Sequence, residues 1–182
     1  MFFALSSGGL QTLADLPGQM IAFEEPHSTS GYVLPLAYLI EQGLNPVEKS
    51  KSSLPVSEDE AGYVFAGEDQ NIVQWVLSGK VAAGVLDNES FDKLPEDTRS
   101  ALNILGETEI VARNVVVVPP GMDPLLIQAI KGLLLALDET EEGRAVLEKF
   151  KTSQFDEFPG GEESALTRMR ELYRLVEAGN ER

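Results

Sequence analysis

Three consecutive hydroxyl side chains, Ser28, Thr29 and Ser30, precede Gly31 and an apolar stretch that runs to Gln42. They follow Gln19 to Phe23, a β-branched and aromatic run that reads as a buried strand. A strand that enters a hydroxyl-rich loop and then a helix can hold an oxyanion. The hydroxyls donate hydrogen bonds, the first helical amides have no carbonyl partners of their own, and the helix dipole favours negative charge. That dipole contributes only about 0.3–2 kcal/mol, so several hydrogen bonds must carry most of any affinity. The bland reading of the same phrase is a helix cap made by Ser28 or Ser30.

Other reactive-looking residues point to less. His27 is the one histidine, and its place beside Ser28 and Ser30 invites a nucleophile-and-base reading. No Gly-x-Ser-x-Gly elbow accompanies it, and adjacency in sequence is not catalytic geometry. The acid pairs Glu24-Glu25, Asp59-Glu60, Glu141-Glu142 and Glu162-Glu163 fall in loops or first helical turns, where solvation and the dipole account for them. Gly8-Gly9 and Gly160-Gly161 lack the further glycines and the lysine of a phosphate loop. Trp75 reads as a core or partner-contact residue. With zero cysteines, thiolate metal sites and thiol catalysis are excluded. The expectation is a binding protein and not an enzyme, with no cofactor and no metal.

The 182 residues carry 14 Lys plus Arg against 30 Asp plus Glu, a net charge of -16 that opposes nucleic acid and anionic membranes as partners. A hydrophobic fraction of 43% is enough for a core. No apolar run approaches the roughly 20 residues that span a bilayer, so no membrane insertion is expected. The first ten residues have no basic region, so the sequence as given reads as carrying no export signal.

The elements that would position the hydroxyl loop alternate between strand and helix. Strands are expected at Phe2 to Leu5, Gln19 to Phe23, Ala61 to Ala66, Val81 to Leu86, Asn103 to Leu105 and Val111 to Val118, the last with four consecutive valines as the strongest strand signal. Helices are expected over Gly31 to Gln42, Asp69 to Ser78, Glu96 to Leu102, from Asp123-Pro124 onward, over Glu141 to Phe150 and over Glu162 to Ala178. Pro35 must lie near a first turn or mark a kink. The polar stretch from Asn45 to Glu60 reads as a loop, and Ala83-Gly84 as a place of close backbone approach. The alternation predicts an α/β fold, a three-layer, mainly parallel sheet flanked by helices. Residues 1–122 would form the lobe with its hinge strands, and 123–182 would add helices that pack on it or on a partner.

Several phrases resemble the second lobe of the phosphate/phosphite/phosphonate family of periplasmic solute-binding proteins, the soluble components of ABC importers with a type 2 periplasmic binding fold. The residues are Leu13-Ala-Asp-Leu-Pro-Gly-Gln-Met-Ile-Ala-Phe23, then Pro26-His-Ser-Thr-Ser-Gly-Tyr-Val-Leu-Pro35 with Leu39 and Gly43, then Val76-Leu-Ser-Gly-Lys-Val-Ala-Ala-Gly84. Val115 to Asp123 and Leu137 to Arg144 look like the family's return strand and following helices, so the likeness runs from about Leu10 to Phe158.

The resemblance implies that Ser28, Thr29, Ser30 and Gly31 bind a small oxyanion, phosphate or phosphonate. Asp69 stands where binding members carry a His, and Ala82 where they carry an Asp. Glu89 falls where aminophosphonate binders hold the ligand amine. The family's first lobe has no counterpart here, so a homodimer, a separate first-lobe chain or a transporter subunit is the expected partner. The periplasm is the implied compartment and the cytoplasm the alternative. The competing reading is a sensor or interaction module that keeps the fold, dimerises and no longer captures solute.

Overall fold

Short apolar runs separated by glycine and proline make short strands. The computed structural model describes residues 1–111, 114–150, 152–158 and 160–180. Six strands lie among them: β1 (Phe2–Leu5), β2 (Met20–Phe23), β3 (Pro46–Glu48), β4 (Ala61–Phe65), β5 (Ala83–Val85) and β6 (Leu102–Gly106). They form one sheet in the order β3-β4-β2-β5-β1-β6. The pairs β3–β4, β4–β2 and β2–β5 are parallel, while β1 is antiparallel to both β5 and β6. β1 alone therefore runs against the other strands. The chain divides into two compact units, residues 1–110 with 170–182, and residues 111–169.

The first unit holds the sheet with α1 (Leu34–Glu41), α2 (Asp69–Leu77), α3 (Asn88–Asp92) and α4 (Glu96–Ser100). Side chains alternate across a strand, and here the alternation builds two apolar layers. Phe3, Met20, Ala22 and Val64 cluster with Ile72, Val73 and Val76 of α2 and with Phe91 of α3. On the opposite face Phe2 meets Tyr38 of α1, and Phe23 and Tyr63 pack with Tyr32. The expected three-layer α/β arrangement is the observed one.

The second unit is helical, with α5 (Pro124–Leu135), α6 (Glu141–Lys149) and the beginning of α7 (Gly161–Asn180). Asp123 caps α5 as its position predicts, its carboxylate accepting from the Leu125 amide at 2.9 Å. Thr140 caps α6 through the Gly143 amide at 3.0 Å. The later part of α7 belongs to the first unit, where Leu172 and Val176 are buried.

Three expectations change. The valine run forms no strand among the described residues: Val115 to Val118 have no regular secondary structure and are exposed, Val117 to 81%. β-branched residues favour extended backbone, but a strand also needs a neighbouring edge to bond to, and nothing described here pairs with this run. Conversely, the polar stretch after Asn45 contains β3, a three-residue edge strand held by β4. The helix expected from Gly31 begins instead as a π-turn over Thr29–Val33, and Pro35 falls in the first turn of α1 that follows.

α2 rests directly on the backbone of β5 at Gly84. A Cβ there would lie 2.6 Å from Ile72 Cγ2, 2.9 Å from Phe3 Cζ and 3.0 Å from Val76 Cγ2. Gly84→Val is therefore expected to cost about 1–3 kcal/mol through overpacking, and Ile72→Ala about 2–5 kcal/mol through a cavity. Urea denaturation of the two variants checks both.

Candidate anion cradle

The parallel register of β2 and β4 sets Phe23 opposite Phe65, and β5 runs alongside β2 in the same direction. The segments that leave these strands consequently emerge at one edge of the sheet. From that edge start the π-turn leading into α1, α2 with Asp69 as its first residue, and α3 with Glu89 in its first turn. Open α/β sheets bind ligands outside the carboxyl ends of their strands.

The loop from Glu24 to Ser30 is tied down at several points. The Ala66 amide donates to the Phe23 carbonyl at 2.8 Å, the Gly67 amide to the Glu24 carbonyl at 2.9 Å, and the Glu24 amide to the Gly31 carbonyl at 3.2 Å. Ser28 is the N-cap, its Oγ accepting from the Gly31 amide at 3.0 Å. The cap reading of Ser28 thus holds, and it leaves Thr29 and Ser30, which are exposed. A π-turn closes its ladder one residue later than an α-helix. Its first bonded amides are those of Val33, donating to the Ser28 carbonyl, and Leu34, donating to the Thr29 carbonyl. The amides of Thr29 and Ser30 precede that ladder.

Beneath the loop lies an aromatic floor of Phe23, Tyr32, Tyr63 and Phe65, with ring centroids 5.0–5.9 Å apart in tilted and edge-on pairs. The Tyr32 and Tyr63 hydroxyls approach to 3.4 Å. Burial, helped by that hydroxyl contact, pushes the Tyr63 phenol well above the ordinary tyrosine range.

The expected site residues are distributed unevenly. Ser28 and Gly31 are hydrogen-bonded to each other, and Thr29 and Ser30 stand beside them. Asp69 opens α2, where the helix dipole accommodates a carboxylate. Glu89 forms an ion pair with Lys93 one turn along α3. His27 is exposed and paired with Glu25 at 2.8 Å, while the Ser28 hydroxyl engages Glu24 and the Gly31 amide. Glu24 was the residue the sequence concealed. As one of an acid pair it reads as a solvated loop residue, yet it is half-buried and accepts a hydrogen bond from the Ser28 hydroxyl at 2.5 Å. Its spacing of four from Ser28 was the available signal. Among the described residues no cluster of His, Cys, Asp or Glu is arranged to hold a metal ion, and no helix is long and apolar enough to cross a membrane.

A sheet in this order with its flanking helices has the fold of a type 2 periplasmic binding protein lobe. The family model for ABC transporter phosphonate periplasmic substrate-binding proteins matches residues 1–159, and the chain belongs to that family. The phosphate-import protein PhnD of Mycolicibacterium smegmatis is 28% identical over 123 residues, 65% of this chain and 37% of that protein. XAC2383 from Xanthomonas citri, solved bound to ATP, is 25% identical with a TM-score of 0.86, over 100% of this chain and 66% of its own. PhnD1 from Prochlorococcus marinus, in complex with methylphosphonate, shares the fold at 19% identity and a TM-score of 0.64, over 97% of this chain and 65% of its own. The chain thus spans 37% of the length of the curated relative and just under two thirds of these structures.

The raised Tyr63 pKa has a sign that can be measured. Above about pH 10 the unfolded chain's phenol ionises while the folded one keeps its proton, so folding stability falls as pH rises, by up to about 1.4 kcal/mol per pH unit. Between about pH 9 and pH 11 the wild type should lose roughly 1 kcal/mol relative to Tyr63→Phe, which lacks the titrating group. Urea melts of the two proteins at both pH values read the difference.

Proposed function

We propose that this chain is the ligand-holding lobe of an ABC-importer binding protein, and that the Ser28–Gly31 loop takes a phosphoryl or phosphonyl oxyanion. The observation that carries this reading is the pair of exposed hydroxyl residues, Thr29 and Ser30, whose amides precede the helical ladder at the sheet's carboxyl edge. Neutral donors of this kind bind an anion locally in spite of a net charge of -16. The ATP of XAC2383 and the methylphosphonate of PhnD1 both present such an oxyanion. The protein acts by binding and not by catalysis: His27 pairs with Glu25, so the geometry does not favour it as a general base for Ser28. Asp69 and Glu89, at the starts of α2 and α3, would face the remainder of the ligand and favour a cationic or protonated portion there. The periplasm of the family is the proposed compartment.

Micromolar affinity requires about 8 kcal/mol, and a hydrogen bond to a charged group contributes about 1.5–3 kcal/mol. Calorimetric titration with inorganic phosphate, methylphosphonate and ATP should yield heat with at least one of them. Thr29→Ala should then weaken that ligand by about tenfold or more. No heat with any of the three at millimolar concentration rejects the oxyanion site.

A second reading, a module that pairs with another chain or with itself, is favoured by the apolar residues of the 111–169 unit. Val116, Val117, Leu125, Leu126 and Leu133 are all at least half exposed. Sedimentation across a wide concentration range should show self-association. A monomer at every concentration counts against the homodimer.

A further inference from the structure

We infer that Glu24 is a resident carboxylate that competes with the incoming anion for the Ser28–Gly31 cradle and so sets which anions the loop accepts. This inference rests on the oxyanion reading of that loop and deepens it.

Three observations converge on Glu24. Its backbone is fixed on both sides, the amide donating to the Gly31 carbonyl at 3.2 Å and the carbonyl accepting from Gly67 at 2.9 Å. The side chain is therefore delivered to the loop by the end of β2 and cannot leave by a shift of the main chain alone. Next, the space above Gly31 is already filled. A Cβ on Gly31 would lie 2.5 Å from Glu24 Cβ and closer still to its Oε2. The approach that a glycine leaves open at a helix start, where a ligand oxygen would come nearest to the backbone, is taken by the carboxylate.

The third observation concerns one proton. A serine hydroxyl has a single hydrogen to donate. Ser28 Oγ accepts from the Gly31 amide at 3.0 Å and donates to Glu24 Oε2 at 2.5 Å, so its donor is committed to Glu24. An anion can receive it only after the Glu24 side chain turns away. While it stays, two negative groups would share one small cradle, an arrangement that costs free energy in a partly buried site. The neighbourhood supplies little compensation, since Glu25 is adjacent, Asp69 begins α2, and the His27 side chain is engaged by Glu25. A ligand therefore binds by displacing the carboxylate, and ligands with enough other contacts to offset that displacement are favoured over a bare inorganic anion.

Glu24→Ala and Glu24→Gln, titrated with inorganic phosphate and with ATP alongside the wild type, test this. The expected result is that Glu24→Ala binds inorganic phosphate about tenfold or more tightly than the wild type, with a smaller gain for ATP. Glu24→Gln, which loses the charge and keeps the shape, should fall between. The gain must shrink when Ser28→Ala is added, because the donor that Glu24 holds is then absent. If Glu24 serves only to brace the loop, both variants bind more weakly and melt lower, which overturns the inference. Phosphate affinity unchanged in a normally melting Glu24→Ala protein overturns it as well, while leaving the oxyanion site standing. No heat from any variant with either ligand rejects the site itself, and the competitor role with it.

Discussion

The placement of the candidate site depends on how β2 and β4 end. Phe23 lies opposite Phe65 in a parallel ladder, so both segments leave the sheet at the same edge, and their terminal rings become the floor on which the next residues rest. Tyr32, one turn into the following helix, completes that floor from above. The hydroxyl loop is short because it spans only the distance from a strand end to a helix seated on the same aromatic layer. A register slip of one residue between β2 and β4 would place Phe23 and Tyr63 on opposite faces of the sheet and leave the loop without support.

Much of this was legible in the sequence because the signals were local. The strands around Ile21, Val64 and Gly84, the cap at Asp123 and the stop at Gly43 each follow from residues within a few positions. The alternation of elements pointed to the α/β sheet, and the phrase around Ser28 to Gly31 pointed to the family. What stayed hidden depended on partners distant in sequence or on side-chain geometry. β3 is a strand only because β4 offers it an edge, and a three-residue segment opening on Pro46 announces nothing by itself. The valines from Val115 to Val118 make the opposite case: strong propensity, and no neighbouring edge among the described residues. Glu24 could not be recognised because its role follows from a tied backbone and a side chain curled over Gly31.

Acidic residues in this chain take up distinct local positions. Asp123 saturates a helix start at the Leu125 amide, Asp15 gathers the amides of Gln11 and Thr12, which hold its carboxyl below the usual range, and Glu60 answers Lys49. These acids satisfy donors that would otherwise be left to water. Glu24 is satisfied in the same manner, but by a donor that a ligand would also want. A large net charge is compatible with the proposed anion-accepting loop where the acids are paired or solvated locally.

The valine run has one more consequence. Val115 to Val118 are uncharged and exposed, with strong β propensity, the composition that templates cross-strand stacking between molecules. Two features oppose it. Pro119 and Pro120 follow at once and cannot donate to a growing ladder, and the net charge of -16 makes molecules repel one another at low ionic strength. Salt shortens the reach of that repulsion to about 8 Å at physiological strength, leaving the prolines as the nearer guard. The strongest strand signal in the sequence thus bears on association between molecules, and the protein's solubility should respond to ionic strength more sharply than its folding does.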